Sequence, residues 1–225
     1  YLCTLLQSIF DNASKENNYD IVILTRDITE KNKNKIISQY KAPNFSIRFV
    51  EIPFNEKFHI IRHVTVETYM RFKIPSLFSS YDKVLYLDAD VVVETDIANL
   101  FNIDLKDKKI GAVKDITIQY YINNQDRDYE DYIKNTLELK DIYSIFNGGV
   151  ILLNIKKIEN NFYETLKEMC LKNKYRYLDQ DAMNIYFENQ VLFLEQQWNI
   201  CSVNFNKNIQ KCIPLKSKQS LYTAL

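Results

Sequence analysis

Asp88 and Asp90 stand one residue apart at the end of an apolar run, Val84-Leu85-Tyr86-Leu87, and a second apolar run, Val91-Val92-Val93, follows them. Two carboxylates at the carboxyl end of a buried strand cost free energy unless something positive lies between them. A divalent cation is the simplest candidate. Carboxylate oxygens suit Mg²⁺ or Mn²⁺, which favour octahedral oxygen ligation shared with phosphate and water. On a regular strand residues i and i+2 face the same side, so the spacing predicts that both carboxylates approach one ion. A cation held there can hold a diphosphate, which points to an enzyme using a nucleotide-activated substrate. The plainer reading, a strand closed by turn-forming Asp residues, needs no chemistry.

Three further groups bear on the same chemistry. Arg71, in Glu67-Thr68-Tyr69-Met70-Arg71-Phe72-Lys73, could clamp a phosphate or pair with an acid, or form an ordinary surface ion pair. The chain has three glycines, and two of them, Gly148 and Gly149, stand together after Asn147 in an apolar run. Glycine inside a strand marks a bulge or the close approach of a ligand. Asp179-Gln180-Asp181 opens a helix. An N-cap Asp and a first-turn Asp account for both acids, and Gln180 is left unexplained. His59 and His63 flank an apolar segment and read as structural.

The elements that must position these residues alternate between strand and helix. Leu2, Leu5, Leu6, Ile9 and Phe10 recur at helical spacing. Strands are expected at Ile21 to Thr25, Phe45 to Ile52, Val84 to Leu87, Ile110 to Val113, Phe146 to Ile155 and Val191 to Leu194. Helices are expected at Thr29 to Tyr40, at Thr65 to Phe78 with a break near Pro75, at Asp96 to Phe101 capped by Asp96, and at Lys156 to Leu171. Another is expected at Asp179 to Asn189 with Asp179 as its N-cap. The polar, Tyr-rich stretch 116–144 suits a mobile excursion or lid, and the tail from Asn204 is weakly patterned. This order predicts an α/β domain with a mainly parallel central sheet flanked by helices, a Rossmann-like arrangement with ligands bound at the strands' carboxyl ends.

Composition narrows the field. The 225 residues suffice for one well-buried α/β domain. Lys plus Arg and Asp plus Glu number 29 each, so the charge balance gives no sign of a nucleic-acid partner. No apolar run approaches the ~20 residues of a membrane span, and no signal peptide is visible. Cys3, Cys170, Cys201 and Cys212 are scattered, which reads as reduced thiols in a cytoplasmic protein without a zinc site.

Four segments in order resemble the family 8 glycosyltransferases, the group that contains bacterial lipopolysaccharide galactosyl- and glucosyltransferases. They are Ile61 to Phe72, Lys83 to Asp90, Phe146-Asn147-Gly148-Gly149-Val150-Ile151-Leu152-Leu153-Asn154, and Leu178-Asp179-Gln180-Asp181-Ala182-Met183-Asn184. The resemblance implies one GT-A domain over residues 1–225, a UDP-sugar donor, Mn²⁺ (or Mg²⁺) and retention of anomeric configuration. It places Asp88 and Asp90 as metal ligands. Arg71, Asp115 and Asn147 fall near the donor sugar and diphosphate, with Ala89 and Gly148 among the donor contacts. Gln180 falls beneath the anomeric carbon, flanked by Asp179 and Asp181.

Two features of the family are unmatched. Members begin with a strand and a uridine-binding turn that would precede Tyr1, and they carry a C-terminal His-x-x-Gly-x-x-Lys-Pro-Trp segment with a third metal ligand. With two protein ligands, the metal is expected to be held weakly. The expected activity is hexosyl transfer, of galactose or glucose, to a glycan or lipopolysaccharide-type acceptor. The expected setting is the cytoplasm at the inner face of the membrane, with peripheral attachment through a C-terminal region. Two alternatives stay open: a haloacid-dehalogenase-type phosphatase using Asp88 and Asp90, and an inactive sugar-nucleotide-binding domain.

Overall fold

A computed structural model describes residues 1–61, 64–201 and, as backbone alone, 221–223. His63, Cys212 and most of the tail from Asn204 lie outside the described residues. The chain opens on helix α1 (Leu2–Asn12), which buries Leu5, Leu6 and Ile9. Then come strand β1 (Tyr19–Thr25), helix α2 (Glu30–Gln39) and strand β2 (Phe45–Glu51). A 3₁₀ helix, Val66–Lys73, runs directly into α3 (Ile74–Leu77), with Pro75 in the first turn of α3. Proline is tolerated there because its missing N–H would be unpaired anyway.

Strands β3 (Lys83–Leu87) and β4 (Val91–Val93) flank the Asp88-Ala89-Asp90 turn. Helix α4 (Ala98–Phe101), strand β5 (Ile110–Lys114) and helices α5 (Ile116–Asn123) and α6 (Arg127–Asp131) follow. A π-helical turn, Tyr132–Thr136, then leads to strand β6 (Phe146–Asn154). Helices α7 (Phe162–Lys172) and α8 (Leu178–Tyr186), and strands β7 (Val191–Leu194), β8 (Ile200–Cys201) and β9 (Leu221–Thr223), complete the order.

The strands form three groups. β1 pairs with β2 in parallel. The largest sheet runs β3-β6-β5-β7. Within it β5 and β7 are parallel, while β6 runs antiparallel to both β3 and β5. β4, β9 and β8 form a small third sheet. Parallel pairing thus holds for β1–β2 and β5–β7, and the central strand β6 reverses direction between its neighbours.

β6 is buried along most of its length and anchors the main core with Phe72, Phe146, Ile151, Phe162, Leu166 and Phe187. Each such side chain contributes roughly 1.5–3 kcal/mol on burial. The excursion 116–144 is largely helical and adds Ile118, Ile122, Ile133, Leu137 and Leu139 to that core.

Register brings the carboxyl ends of β3 and β5 to the start of β6. Leu87 pairs with Val150, and one step further Asp88 N donates to Gly149 O at 2.8 Å. On the other edge, a register shift after Ala112 sets Lys114 opposite Phe146, and Asp115 N donates to Ile145 O at 2.9 Å. Among the described residues β1 and β3 do not pair with each other.

Candidate active site

Asp88 and Asp90 occupy a turn rather than a regular strand. The expected same-face geometry therefore does not apply. Val91 N closes the turn onto Asp88 O at 3.2 Å. Both carboxylates are half-buried and Ala89 between them is exposed. Burial, and then the neighbouring Asp88 charge, raises the pKa of Asp90. Two acids in this state favour a nearby cation.

Arg71 is 9% exposed, so the surface ion pair allowed by the sequence gives way to a buried one. Its Nη1 donates to Gly148 O at 2.5 Å, and its Nη2 lies 3.2 Å from Asp88 Oδ1. Nε lies 2.7 Å from Asp179 Oδ2, with its N–H donating to Thr68 O. Thr68 Oγ1 donates to Asp179 Oδ1 at 2.7 Å. Burial opposes the guanidinium charge, and Asp179 and Asp88 more than offset it, so the pKa of Arg71 rises. The ring of Tyr86 lies beneath the guanidinium, 4.7 Å from Cζ.

A Cβ at Gly148 would lie 2.9 Å from Arg71 Nη1 and 3.4 Å from Gln180 Oε1. One at Gly149 would lie 3.1 Å from Asn147 Oδ1 and 3.3 Å from Asp88 Oδ2. Of the two readings the glycine pair allowed, the bulge is observed: between the pairs Ala112–Ile151 and Lys114–Phe146, β6 advances five residues against two on β5, and the extra residues span Gly148 and Gly149. The groups that approach are the protein's own side chains.

Gln180 is pinned at both ends. Its Oε1 accepts from Gly148 N at 2.8 Å, and its Nε2 donates to Asp115 Oδ2 at 3.3 Å. A carbonyl oxygen must face the N–H and an amide nitrogen must face the carboxylate, so the amide has one consistent orientation. Asn147 Nδ2 donates to the same Asp115 oxygen at 3.2 Å, and its Oδ1 accepts from Gly149 N and Asn199 Nδ2. Asp115 Oδ1 caps α5 by accepting from Thr117 N and Ile118 N.

Asp179 is not the N-cap of α8; that position is Tyr177, and Asp179 lies in the first turn, aimed at Arg71 and Thr68. Capping is not what this acid does, because a buried guanidinium is within reach. Asp181 is fully buried and points elsewhere: its Oδ2 accepts from Tyr132 Oη at 2.6 Å and Tyr177 N at 2.9 Å. Burial raises its pKa to about 6. Its Oδ1 has no hydrogen-bond partner among the described residues. Leu178, just before this pair, has φ of +52°, a left-handed conformation that is costly without glycine. Asn184 fixes the helix to β6 by accepting from Phe146 N and donating to Phe146 O.

The structure therefore joins Asp179, Arg71, Asp88, Gly148, Gln180, Asp115 and Asn147 into one continuous polar network, with Asp90 beside it. Sequence reasoning missed Thr68, Tyr86, Asn184 and Asn199, which hold that network in place. Tyr86 was legible as the residue two before Asp88, and Thr68 as one turn before Arg71. Asn199 carries no local signal.

Asp88 and Asp90 fit a divalent cation that takes its remaining ligands from phosphate and water. Among the described residues no third Asp, Glu, His or Cys completes a metal cluster with them. His59 is remote in role; its backbone oxygen accepts from Tyr69 Oη. Cys3, Cys170 and Cys201 are free thiols. No helix among the described residues is long and apolar enough to cross a membrane.

The family profile described as "Glycosyl transferase family 8" matches residues 1–219. A putative glycosyltransferase of Haemophilus influenzae is 30% identical over 208 residues, covering 88% of this chain and 59% of the relative. A lipopolysaccharide 1,3-galactosyltransferase of Salmonella typhimurium is 31% identical over 144 residues, covering 60% of this chain and 40% of the relative. Among solved structures, the apo form of the bifunctional glycosyltransferase WbbM superposes with a TM-score of 0.83 at 31% identity, covering 97% of this chain and 42% of that one. The chain thus spans about half the length of the curated relatives it matches.

Proposed function

Because the chain belongs to glycosyl transferase family 8 and has the GT-A fold, we propose that it transfers a hexosyl group, galactose or glucose, from a UDP-sugar to a glycan acceptor with retention of configuration. One observation carries the reading. A buried cation, Arg71, is paired with Asp88 of the Asp88–Asp90 turn and joined through Gly148 to a pinned amide, Gln180.

Asp88 and Asp90 would hold Mn²⁺ or Mg²⁺, which supplies charge stabilisation to a departing diphosphate. Arg71 adds fixed positive charge beside that leaving group, and it is already oriented by Gly148 O and Asp179. Asp115, Asn147 and Gln180 present polar atoms to the donor sugar. The bond from the anomeric carbon to the phosphate oxygen breaks through an oxocarbenium-like state. The acceptor oxygen bonds to that carbon on the same face, and its proton passes to the departing phosphate oxygen. An amide is a poor nucleophile, and Gln180 Oε1 is occupied by Gly148 N–H, which supports this front-face route over a covalent intermediate on Gln180. Asp179 and Asp181 act by holding Arg71 and the turn into α8.

The excursion 116–144 covers the site in this reading. It is tied to the start of α8 by Tyr132 on Asp181, Tyr129 on Tyr177 and Arg176 on Asp128. Movement there would admit the acceptor. The similarity to a lipopolysaccharide 1,3-galactosyltransferase supports a lipopolysaccharide-type acceptor.

A screen of UDP-sugars with Mn²⁺, read by UDP release, tests the proposal. Release from UDP-galactose or UDP-glucose supports it. Release of inorganic phosphate from phosphomonoesters instead would support phosphatase chemistry at the same acids.

A further inference from the structure

We propose that Tyr86 is a positioning residue for the metal site: its phenol holds Asp88 Oδ1, so that Oδ2 is the oxygen presented to the cation. The inference rests on the metal reading of Asp88 and Asp90 given above.

Tyr86 Oη donates to Asp88 Oδ1 at 2.5 Å. Tyr86 lies near the end of β3, and Asp88, just past it, keeps a ladder bond from its N to Gly149 O, so the phenol and the carboxylate lie side by side. The positive group beside Asp88 uses the same oxygen, with Arg71 Nη2 at 3.2 Å from Oδ1. Oδ2 is turned toward Gly149, where an added Cβ would lie 3.3 Å away. The two oxygens are therefore divided: Oδ1 is held by Tyr86 and Arg71, and Oδ2 lies beside Gly149, near the side chains of Asn147 and Asn199.

The ring of Tyr86 has a second task. It lies 4.7 Å from Arg71 Cζ, a cation–π distance, and so touches both members of the Arg71–Asp88 pair. Phenylalanine would fill the same volume and keep that stack. The hydroxyl's contribution is the hydrogen bond to Asp88. Outer partners of this kind fix the orientation of a ligating carboxylate, and their loss costs about 10–100-fold in metal affinity.

The test uses the full chain with UDP at saturation and Mn²⁺ titrated in, free Mn²⁺ being read by electron paramagnetic resonance. Tyr86→Phe is expected to weaken Mn²⁺ binding by about 10–100-fold. Its thermal midpoint and its affinity for UDP without metal should stay at wild-type values. Asp88→Asn should abolish the Mn²⁺ signal change. Wild-type Mn²⁺ affinity in Tyr86→Phe, beside loss in Asp88→Asn, overturns the role of Tyr86 and leaves the proposed function standing. Weakened Mn²⁺ and UDP binding together with a lowered midpoint also overturns it, because that pattern is general destabilisation. Absence of Mn²⁺ binding in the wild type overturns both readings.

Discussion

Arg71 Nε lies 2.7 Å from Asp179 Oδ2, with side chains 9% and 5% exposed. The pair joins the 3₁₀ helix before β3 to the first turn of α8, two elements far apart in sequence. A buried charge is tolerated when its partner stays in place, and removing one partner leaves the other exposed to the full cost of burial.

Arg71→Met should therefore lower stability by about 3–5 kcal/mol, since Asp179 is left buried and unpaired. Adding Asp179→Asn in the same chain should recover part of that loss. Denaturant unfolding of the two single variants and the double variant measures the coupling. Additive losses would mean that the two side chains do not stabilise each other.

Gly148→Ala should be more harmful than Gly149→Ala. Its Cβ would lie 2.9 Å from Arg71 Nη1, against 3.1 Å from Asn147 Oδ1 for Gly149. Overpacking of this kind costs about 1–3 kcal/mol. Here it also pushes the guanidinium away from Asp88. Thermal melting and UDP-sugar turnover should both rank Gly148→Ala below Gly149→Ala, and turnover should drop more than stability. An unchanged rate in Gly148→Ala would show that Arg71 need not hold its observed position.

Asp181 should make the fold less stable as pH rises. Its folded-state pKa of about 6 lies above the ordinary 3.8, because burial disfavours the charged form. The folded chain binds this proton more tightly than the unfolded chain does. The stabilising contribution is complete below about pH 3.8 and is lost as pH rises through 6. Asp181→Asn removes the titration. Between about pH 4 and pH 7, the stability difference should move in favour of the variant by about 2–3 kcal/mol. Urea unfolding of both chains at the two pH values measures it. A difference independent of pH would mean that Asp181 titrates normally.

Much of the fold was legible because its strands are apolar and bounded by turn residues. β1, β2, β3, β5, β6 and β7 fall where alternation and β-branched runs place them. The antiparallel course of β6 was not legible. Strand periodicity carries no direction, and the segment before β6 looked like a loop. Its polar and tyrosine residues hide Ile118 and Ile122, then Ile133 and Leu137, each pair one helical turn apart and buried. At the site, residue types marked Asp88, Asp90, Arg71, Gly148 and Gln180, and the structure brings them together. Their roles in packing were hidden. Asp179 reads as a helix cap in sequence because its partner, Arg71, lies far along the chain.

The central claim is that Asp88 belongs to a metal-dependent sugar-transfer site. The direct measurement is UDP release from UDP-galactose and UDP-glucose with Mn²⁺, for the wild type and for Asp88→Asn, with folding checked by circular dichroism. The account predicts turnover in the wild type that depends on Mn²⁺, and its loss in a folded Asp88→Asn variant. Wild-type turnover in that variant would contradict it.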